Sequence, residues 1–172
     1  MELVMIFDMR APAFGAAGET LYQAALDMAE WADEAGFDVI ELGEHHGSED
    51  GYNPSPLTLA SAMAARTRQI RLRTAVLLAS CYDPIRLAED LAVLQILSQG
   101  RLELGLGFGY RPSEFAMYGR DIKDRFDFTL ETAATLKQAW TGKPFDYRGR
   151  ACQVLPTPAI PIPILLGGVA PK

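Results

Sequence analysis

Short apolar runs alternate with amphipathic stretches along most of the chain, and this alternation is the feature that most restricts the fold. An uninterrupted apolar run is typical of a parallel strand covered on both faces. Each run and the amphipathic stretch after it form a unit of about 30 residues, which indicates a parallel sheet with helical crossovers. The predicted strands are residues 3–7, 38–42, 70–78, 101–106 and 164–166, and the predicted helices are residues 19–35, 56–66, 84–97 and 123–140.

A closed barrel and an open doubly wound sheet share this pattern, and two observations favour the barrel. No Gly-x-Gly-x-x-Gly turn follows the first strand, where an open dinucleotide-binding sheet would have one. Polar residues follow several different strands, as they do around a barrel rim. A complete barrel needs about 200 residues or more, whereas this chain has 172. We therefore expect one α/β domain over residues 1–172, a TIM-type barrel truncated to about its first five β/α units.

Such a chain is either the N-terminal part of a longer barrel or a natural short form that covers its open edges by association. A hairpin is also predicted at residues 144–155, with 145–147 and 152–154 paired about the turn Arg148-Gly149-Arg150.

Charge and composition exclude several classes of partner. The net charge is −6, which argues against a nucleic-acid partner or an anionic membrane surface. No stretch approaches the roughly 18 apolar residues needed to span a bilayer, and the N-terminus does not resemble a signal peptide. Cys81 and Cys152 have neither metal-ligand nor redox spacing. We expect a reduced, cytoplasmic protein.

Both histidines of the chain lie in Glu44-His45-His46, directly after the second predicted strand. In parallel α/β folds the chemistry collects at the carboxyl ends of strands, and imidazole exchanges protons near neutral pH. Adjacent residues on an extended segment point to opposite sides, so at most one histidine should face a pocket. The residues alone leave a catalytic imidazole and a packed histidine bonded to Glu44 equally open. A metal site is the less favoured reading, because no third ligand is suitably spaced.

Glycines follow two other predicted strands. Gly105, Gly107 and Gly109 alternate after the fourth strand, and Gly167-Gly168 follow the last. Glycines at a strand exit allow backbone N–H groups to approach a ligand closely. A tight loop that needs positive φ also explains these glycines, and taken alone this structural explanation is favoured.

Several short motifs occur together in one order along almost the whole chain. They are Gly36-Phe37-Asp38, Glu44-His45-His46, Pro84-x-Arg86-x-Ala88-Glu89-Asp90, Leu97-Ser98-x-Gly100-Arg101, Gly105-x-Gly107-x-Gly109, Glu114-Phe115, Gly142-Lys143-Pro144-Phe145-Asp146-Tyr147-Arg148-Gly149 and Pro163-Ile164-x-x-Gly167-Gly168. In this combination the chain resembles the flavin-dependent luciferase-like monooxygenases, the family of the bacterial luciferase subunits and alkanal monooxygenases. Each motif is weak alone, and their collinearity makes the resemblance specific.

The resemblance implies a TIM barrel that holds reduced FMN, or deazaflavin F420 in sister groups, at its carboxyl-terminal rim. Reduced FMN and O2 would oxidise a small organic substrate such as an aldehyde, with a separate reductase supplying the flavin and a homodimer as the assembly. His45 matches the family's catalytic imidazole. The cofactor-binding residues implied are Glu44, Ala75 and Val76 with a cis peptide bond between them, Gly107, Phe108, Gly109, Tyr110, Gly167 and Gly168.

The chain departs from the family pattern at two positions. Phe108 stands where many relatives have an arginine that helps to hold the flavin phosphate, and Arg111 is the candidate replacement. Gln95 stands where an aspartate is common. Two alternatives therefore remain beside the FMN monooxygenase: an F420-dependent hydride-transfer oxidoreductase on the same barrel, and a non-catalytic flavin binder or inactive truncated barrel.

Overall fold

The computed structural model describes residues 1–167, in which six parallel strands form one sheet and two antiparallel strands form a separate hairpin. The strands are β1 (Val4–Phe7), β2 (Val39–Leu42), β3 (Arg71–Thr74), β4 (Leu77–Leu78), β5 (Leu102–Gly107), β6 (Phe145–Tyr147), β7 (Arg150–Cys152) and β8 (Ile164–Gly167). The α-helices are α1 (Gly18–Glu34), α2 (Pro56–Arg66), α3 (Pro84–Leu97), α4 (Pro112–Met117) and α5 (Arg125–Ala139). Within the described range, every helix is too short or too polar to cross a bilayer.

The sheet has the order of a barrel opened along one side. β1, β2, β3 and β5 are neighbours in that order, and all pair in parallel. β4 continues the line of β3 along β5, and β8 pairs with the other side of β5. This is the five-unit parallel α/β arrangement predicted from the alternating pattern.

One face of the sheet forms the core beneath the helices. The side chains that alternate onto this face, among them Ile40, Leu42, Leu72 and Leu104, are fully buried. Helices α1, α2, α3 and α5 contact one another in that sequence, as successive crossovers on one face do. This packing fixes the positions of the strand ends, where the loops that matter for function begin.

The other face of the sheet carries a cluster of charged residues, whereas bulky branched residues fill the interior of most barrels. Arg73 is bonded to Glu103 at 2.6 Å and to Glu41 at 3.0 Å. Arg71 pairs with Glu2 and Glu103, so the five side chains form one connected ion cluster. In the strand register Glu41, Arg73 and Glu103 lie side by side on neighbouring strands, which brings opposite charges together.

Some predicted boundaries are wrong. The predicted strand 70–78 is divided into β3 and β4, and the Ala75–Val76 peptide bond between them is cis, as the resemblance implies. The second hairpin strand is β7 rather than residues 152–154. Arg148 and Gly149 both have positive φ and form a two-residue turn, the short loop that suits a twisted hairpin.

The helical predictions need two corrections. Helix α5 begins at Arg125 rather than at residue 123, because a 3-10 turn at Ile122–Asp124 precedes it. Helix α4 was not predicted at all. Helices α2 and α3 match their predicted bounds, and the Asp83 carboxylate caps α3 by accepting from the amides of Ile85 and Arg86.

Asp33 ties the end of α1 to the start of β3, which gives a stability prediction. Its carboxylate accepts the backbone N–H groups of Arg68, Gln69 and Ile70 at 2.6–2.9 Å. Burial alone would raise the pKa of Asp33, but these donors outweigh it and the net pKa is lowered. We expect Asp33→Ala to reduce the free energy of unfolding by about 1–2 kcal/mol at neutral pH, since three donors lose a charged acceptor.

The pH dependence of this loss has a definite sign. Because the folded-state pKa of Asp33 is below the unfolded value, its contribution is present above the unfolded pKa and is lost as the pH falls through the folded pKa. Urea unfolding at several pH values should show the wild-type advantage shrinking in acid. Glu34→Ala, at the exposed neighbouring position, is the matched control. An equal loss in both variants, or a loss independent of pH, would contradict the assignment.

Candidate active site

A cavity of about 780 Å³ opens at the carboxyl ends of β2, β3, β5 and β8. This volume lies within the range of about 300–1,000 Å³ that is usual for ligand and cofactor sites. Because parallel strands end at the same edge of the sheet, loops that are distant in sequence converge there. The predicted residues that line the cavity are Glu44, His45, Ala75, Val76, Gly107, Phe108, Gly109, Tyr110 and Gly167.

All predicted site residues within the described range therefore meet in one place, and Gly168 lies outside that range. His46 points away from the cavity, as expected for the neighbour of a pocket-facing residue on an extended segment. The lining residues that sequence reasoning missed are Gly43, Tyr52, Leu78, Ile122, Arg125 and Phe126.

His45 is held by a buried carboxylate. Its Nδ1 lies 2.7 Å from Glu114 Oε1, and the same oxygen accepts the backbone N–H of His46 at 3.1 Å. On the other side of the ring, Nε2 lies 3.4 Å from the Tyr110 hydroxyl, and the edge of the ring meets Tyr52 with 4.8 Å between centroids. The imidazole is thus fixed from three directions while it faces the cavity.

His46 belongs to a second hydrogen-bond network, separate from that of His45. Its Nε2 lies 3.1 Å from Glu44 Oε1, and its Nδ1 lies 2.9 Å from the Tyr118 hydroxyl. The Glu44 carboxylate also accepts from the Tyr82 hydroxyl and from the backbone N–H of Leu78. Burial and the nearby Glu44 charge raise the pKa of Tyr82 well above its usual range, so this hydroxyl remains a donor.

Glu44 therefore ties the exit of β2 to β4, immediately beyond the cis peptide bond. Both of its oxygens are used by protein donors, and the residue is 3% exposed. Buried carboxylates with several donors act as fixed structural anchors. Glu44 shapes the cavity wall and supports His46, while His45 presents the titratable group.

The surroundings of the glycines at this rim show why glycine is required there. A Cβ on Gly107 would lie 2.1 Å from Val76 Cγ2, and one on Gly167 would lie 2.5 Å from Val76 Cγ1. Gly109 has a positive φ of 73°. Close packing around Val76 and local chain geometry are sufficient to explain these glycines, and their backbone still forms part of the cavity wall.

Arg125 supplies a permanent positive charge at the cavity. Among the described lining residues it is the only lysine or arginine, and its guanidinium lies over the Phe126 ring at 4.3 Å. Phe126 packs in turn on Phe108, with 4.7 Å between ring centroids. Arg111, the expected replacement for the family arginine, does not line the cavity and instead lies over the Tyr110 ring.

Comparison with known proteins places this geometry in a family. The sequence profile of the luciferase-like monooxygenases matches residues 1–172. The chain belongs to the luciferase-like monooxygenase family. A solved monooxygenase from Streptomyces bottropensis is 32% identical with a TM-score of 0.86, covering 96% of this chain and 53% of that one.

Two further relatives are associated with different cofactors. The oxygenating constituent of 3,6-diketocamphane monooxygenase from Pseudomonas putida, solved with FMN, is 25% identical with a TM-score of 0.79, over 90% of this chain and 43% of that one. An F420-dependent glucose-6-phosphate dehydrogenase from Amycolatopsis mediterranei is 29% identical over 83% of this chain and 48% of that protein. The chain thus spans about half the length of these relatives, and its fold is the truncated barrel predicted above.

Proposed function

We propose that this chain carries the flavin-binding rim of a monooxygenase that uses reduced FMN and O2 to oxidise a small organic substrate. The observation that carries the proposal is the cavity that brings His45, held by Glu114, together with Arg125. A titratable imidazole, a fixed cation and aromatic walls in one concave site suit a large planar anionic cofactor. A relative solved with FMN supports the choice of cofactor.

The residues present fit FMN in chemical type. Arg125 is suited to the phosphate, because a guanidinium forms strong charge-assisted hydrogen bonds with phosphate oxygens. Phe108, Phe126 and Tyr110 offer aromatic surface to a ring system. When bound, reduced FMN would supply the electrons that activate O2, and a separate reductase would regenerate it.

The role of His45 in this proposal is proton exchange at the cavity. Because its Nδ1 is engaged by Glu114, Nε2 is the nitrogen available on the cavity side, beside the Tyr110 hydroxyl. An imidazole at such a position is suited to general acid–base catalysis. Tyr52 and Tyr110 limit the orientations of the ring without engaging Nδ1.

Flavin titration tests the proposal and the role of Arg125 together. We expect one equivalent of FMN to bind the wild-type chain, and Arg125→Ala to weaken FMN about 10–100-fold, the effect of losing a hydrogen-bonded charge pair. Riboflavin lacks the phosphate, so its affinity should change little in the same variant. Binding is measured anaerobically by calorimetry with both reduced flavins.

Two variants complete this titration. Arg86→Ala removes an exposed arginine on α3 that does not line the cavity, and it should leave FMN affinity unchanged. Arg111→Ala tests the arginine expected from the sequence. Equal weakening of FMN and riboflavin in Arg125→Ala would reject the phosphate contact, and absence of FMN binding to the wild type would reject the proposed function.

An F420-dependent oxidoreductase is the second candidate, favoured by the F420-dependent relative. The same titration with F420 separates the two, since tighter binding of F420 than of FMN would replace the oxygenase proposal with hydride transfer. A non-catalytic flavin binder is distinguished by tight FMN binding without product formation. The mass of the chain in solution, measured in the same samples, tests the proposed homodimer.

A further inference from the structure

We propose that Glu114 is a positioning residue that determines which nitrogen of His45 carries the proton. The inference concerns a residue outside the predicted site, and its catalytic consequence rests on the proposed function of His45. Glu114 lies on α4, a six-residue helix that begins with Pro112. Glu114 is 69 positions after His45 in the sequence, and this helix places its carboxylate beside the loop that follows β2.

Among the described residues, the Glu114 carboxylate makes its hydrogen bonds only with His45 and His46. Glu114 is 1% exposed, and its Oε1 lies 2.7 Å from His45 Nδ1 and 3.1 Å from the His46 backbone nitrogen. One oxygen therefore fixes both the catalytic ring and the backbone that carries it. Oε2 is buried without a hydrogen-bond partner in the described part of the chain, so every directional bond of this carboxylate goes to the histidine pair.

The hydrogen-bond pattern assigns the tautomer. An ionised carboxylate only accepts hydrogen bonds, and Glu114 Oε1 already accepts the amide of His46. His45 Nδ1 must therefore donate, which places the proton on Nδ1 in the neutral ring. Nε2 is left with a free lone pair that accepts from Tyr110 on the cavity side.

This tautomer is not the one that histidine prefers without help, since the Nε2–H form predominates in the free amino acid. Without Glu114, the ring would place its proton on the cavity side and lose its acceptor there. A carboxylate that orients a catalytic imidazole through Nδ1 acts in this way in catalytic triads. The pair of Glu114 and His45 thus presents a proton acceptor, rather than a donor, to whatever occupies the cavity.

Nitrogen-15 NMR of the two imidazoles tests the assignment directly. The chain has only two histidines, and a His46→Asn variant identifies the His45 signals. In flavin-free wild-type protein, over a pH series that isolates the neutral ring, we expect His45 to be protonated at Nδ1. In Glu114→Ala the proton should move to Nε2, whereas Glu89→Ala, which removes a half-buried glutamate on α3 that contacts neither histidine, should change neither ring.

The Glu114→Gln variant is the control for misfolding, because it keeps the size of the side chain and an acceptor oxygen. Its amide oxygen can still accept from both His45 and His46, so the Nδ1–H tautomer should persist in this variant. With reduced FMN and a long-chain aldehyde, product formation should fall about 100-fold in Glu114→Ala, the lower range for loss of a positioned acid–base group, and glutamine should restore part of it. FMN affinity should change less than about threefold, since Glu114 does not line the cavity.

Two results would overturn the proposal: a wild-type His45 that carries its proton on Nε2, or a tautomer that does not change in a folded Glu114→Ala variant. Because the spectra are recorded without flavin, this outcome is independent of cofactor binding. If FMN fails to bind while the tautomer depends on Glu114, the proposed function is rejected and the positioning role of Glu114 is retained.

Discussion

Replacing His45 with alanine should reduce oxygenation of a long-chain aldehyde by reduced FMN about 100–10,000-fold, the usual contribution of a positioned general acid or base. His45 is the only histidine at the cavity within the described residues, and three neighbours fix its ring. Alanine removes the imidazole without adding bulk or charge. The measurement is product formation in single turnovers, because free reduced flavin also consumes O2.

Flavin affinity separates chemistry from binding in this experiment. If His45 acts mainly in proton exchange, the FMN dissociation constant of His45→Ala should remain within about threefold of the wild type while turnover falls. Gln23→Ala, on the exposed side of α1, is the control for surface truncation. Product formation by His45→Ala at the wild-type rate would rule out the catalytic role, whatever the result for FMN.

Replacing Gly105 with alanine should have the largest effect on stability, a loss of about 3 kcal/mol, at the upper end of typical overpacking costs. A Cβ at this position would lie 2.1 Å from the Thr74 carbonyl oxygen. The obstacle is backbone of the neighbouring strand, so rotation of a side chain cannot relieve it. The Thr74 hydroxyl also exchanges hydrogen bonds with the Gly105 backbone at 2.9 and 3.0 Å, which holds the two strands together.

For the matched control, Gly18→Ala, we expect no loss in the free energy of unfolding. Gly18 is the first residue of α1, and a Cβ there would have no neighbour within 4 Å. Gly18→Ala should therefore leave the free energy of unfolding unchanged or raise it by up to about 1 kcal/mol, because alanine restricts the unfolded chain. Urea unfolding of both variants provides the comparison. A Gly105→Ala protein as stable as the wild type would show that the two strands can separate without cost.

The regular part of the fold was predictable because its signals are local. Strand runs and helix periodicity gave the parallel β/α order, and Pro56, Pro84 and the Asp83 cap marked two helices to the residue. The turn at Arg148-Gly149 was predicted one residue too long because arginine rarely adopts positive φ. Helix α4 is only six residues long, too short for periodicity to detect, although Pro112 marks its start.

The site was predictable only where it follows a strand. His45 and the glycine loops come directly after apolar runs, so topology alone brings them to one rim. Glu114 and Arg125 reach the site from helices, and which way a helical side chain points depends on packing between distant segments. The available signals were Pro112 before Glu114, the family motif Glu114-Phe115, and the pair Arg125-Phe126. None identifies a partner without the fold.

The ion cluster on the open face of the sheet limits what can lie against it. Arg71 and Arg73 with Glu2, Glu41 and Glu103 share their hydrogen bonds while still in contact with water. An aliphatic surface pressed onto them would remove that water and return no donors or acceptors, a transfer that costs several kcal/mol for each ion. Anything that seals this face must bring polar groups of its own or keep a layer of solvent. A partner surface that packs on this cluster therefore needs donors and acceptors at the positions of these five side chains, whereas the packing beneath the helices is apolar.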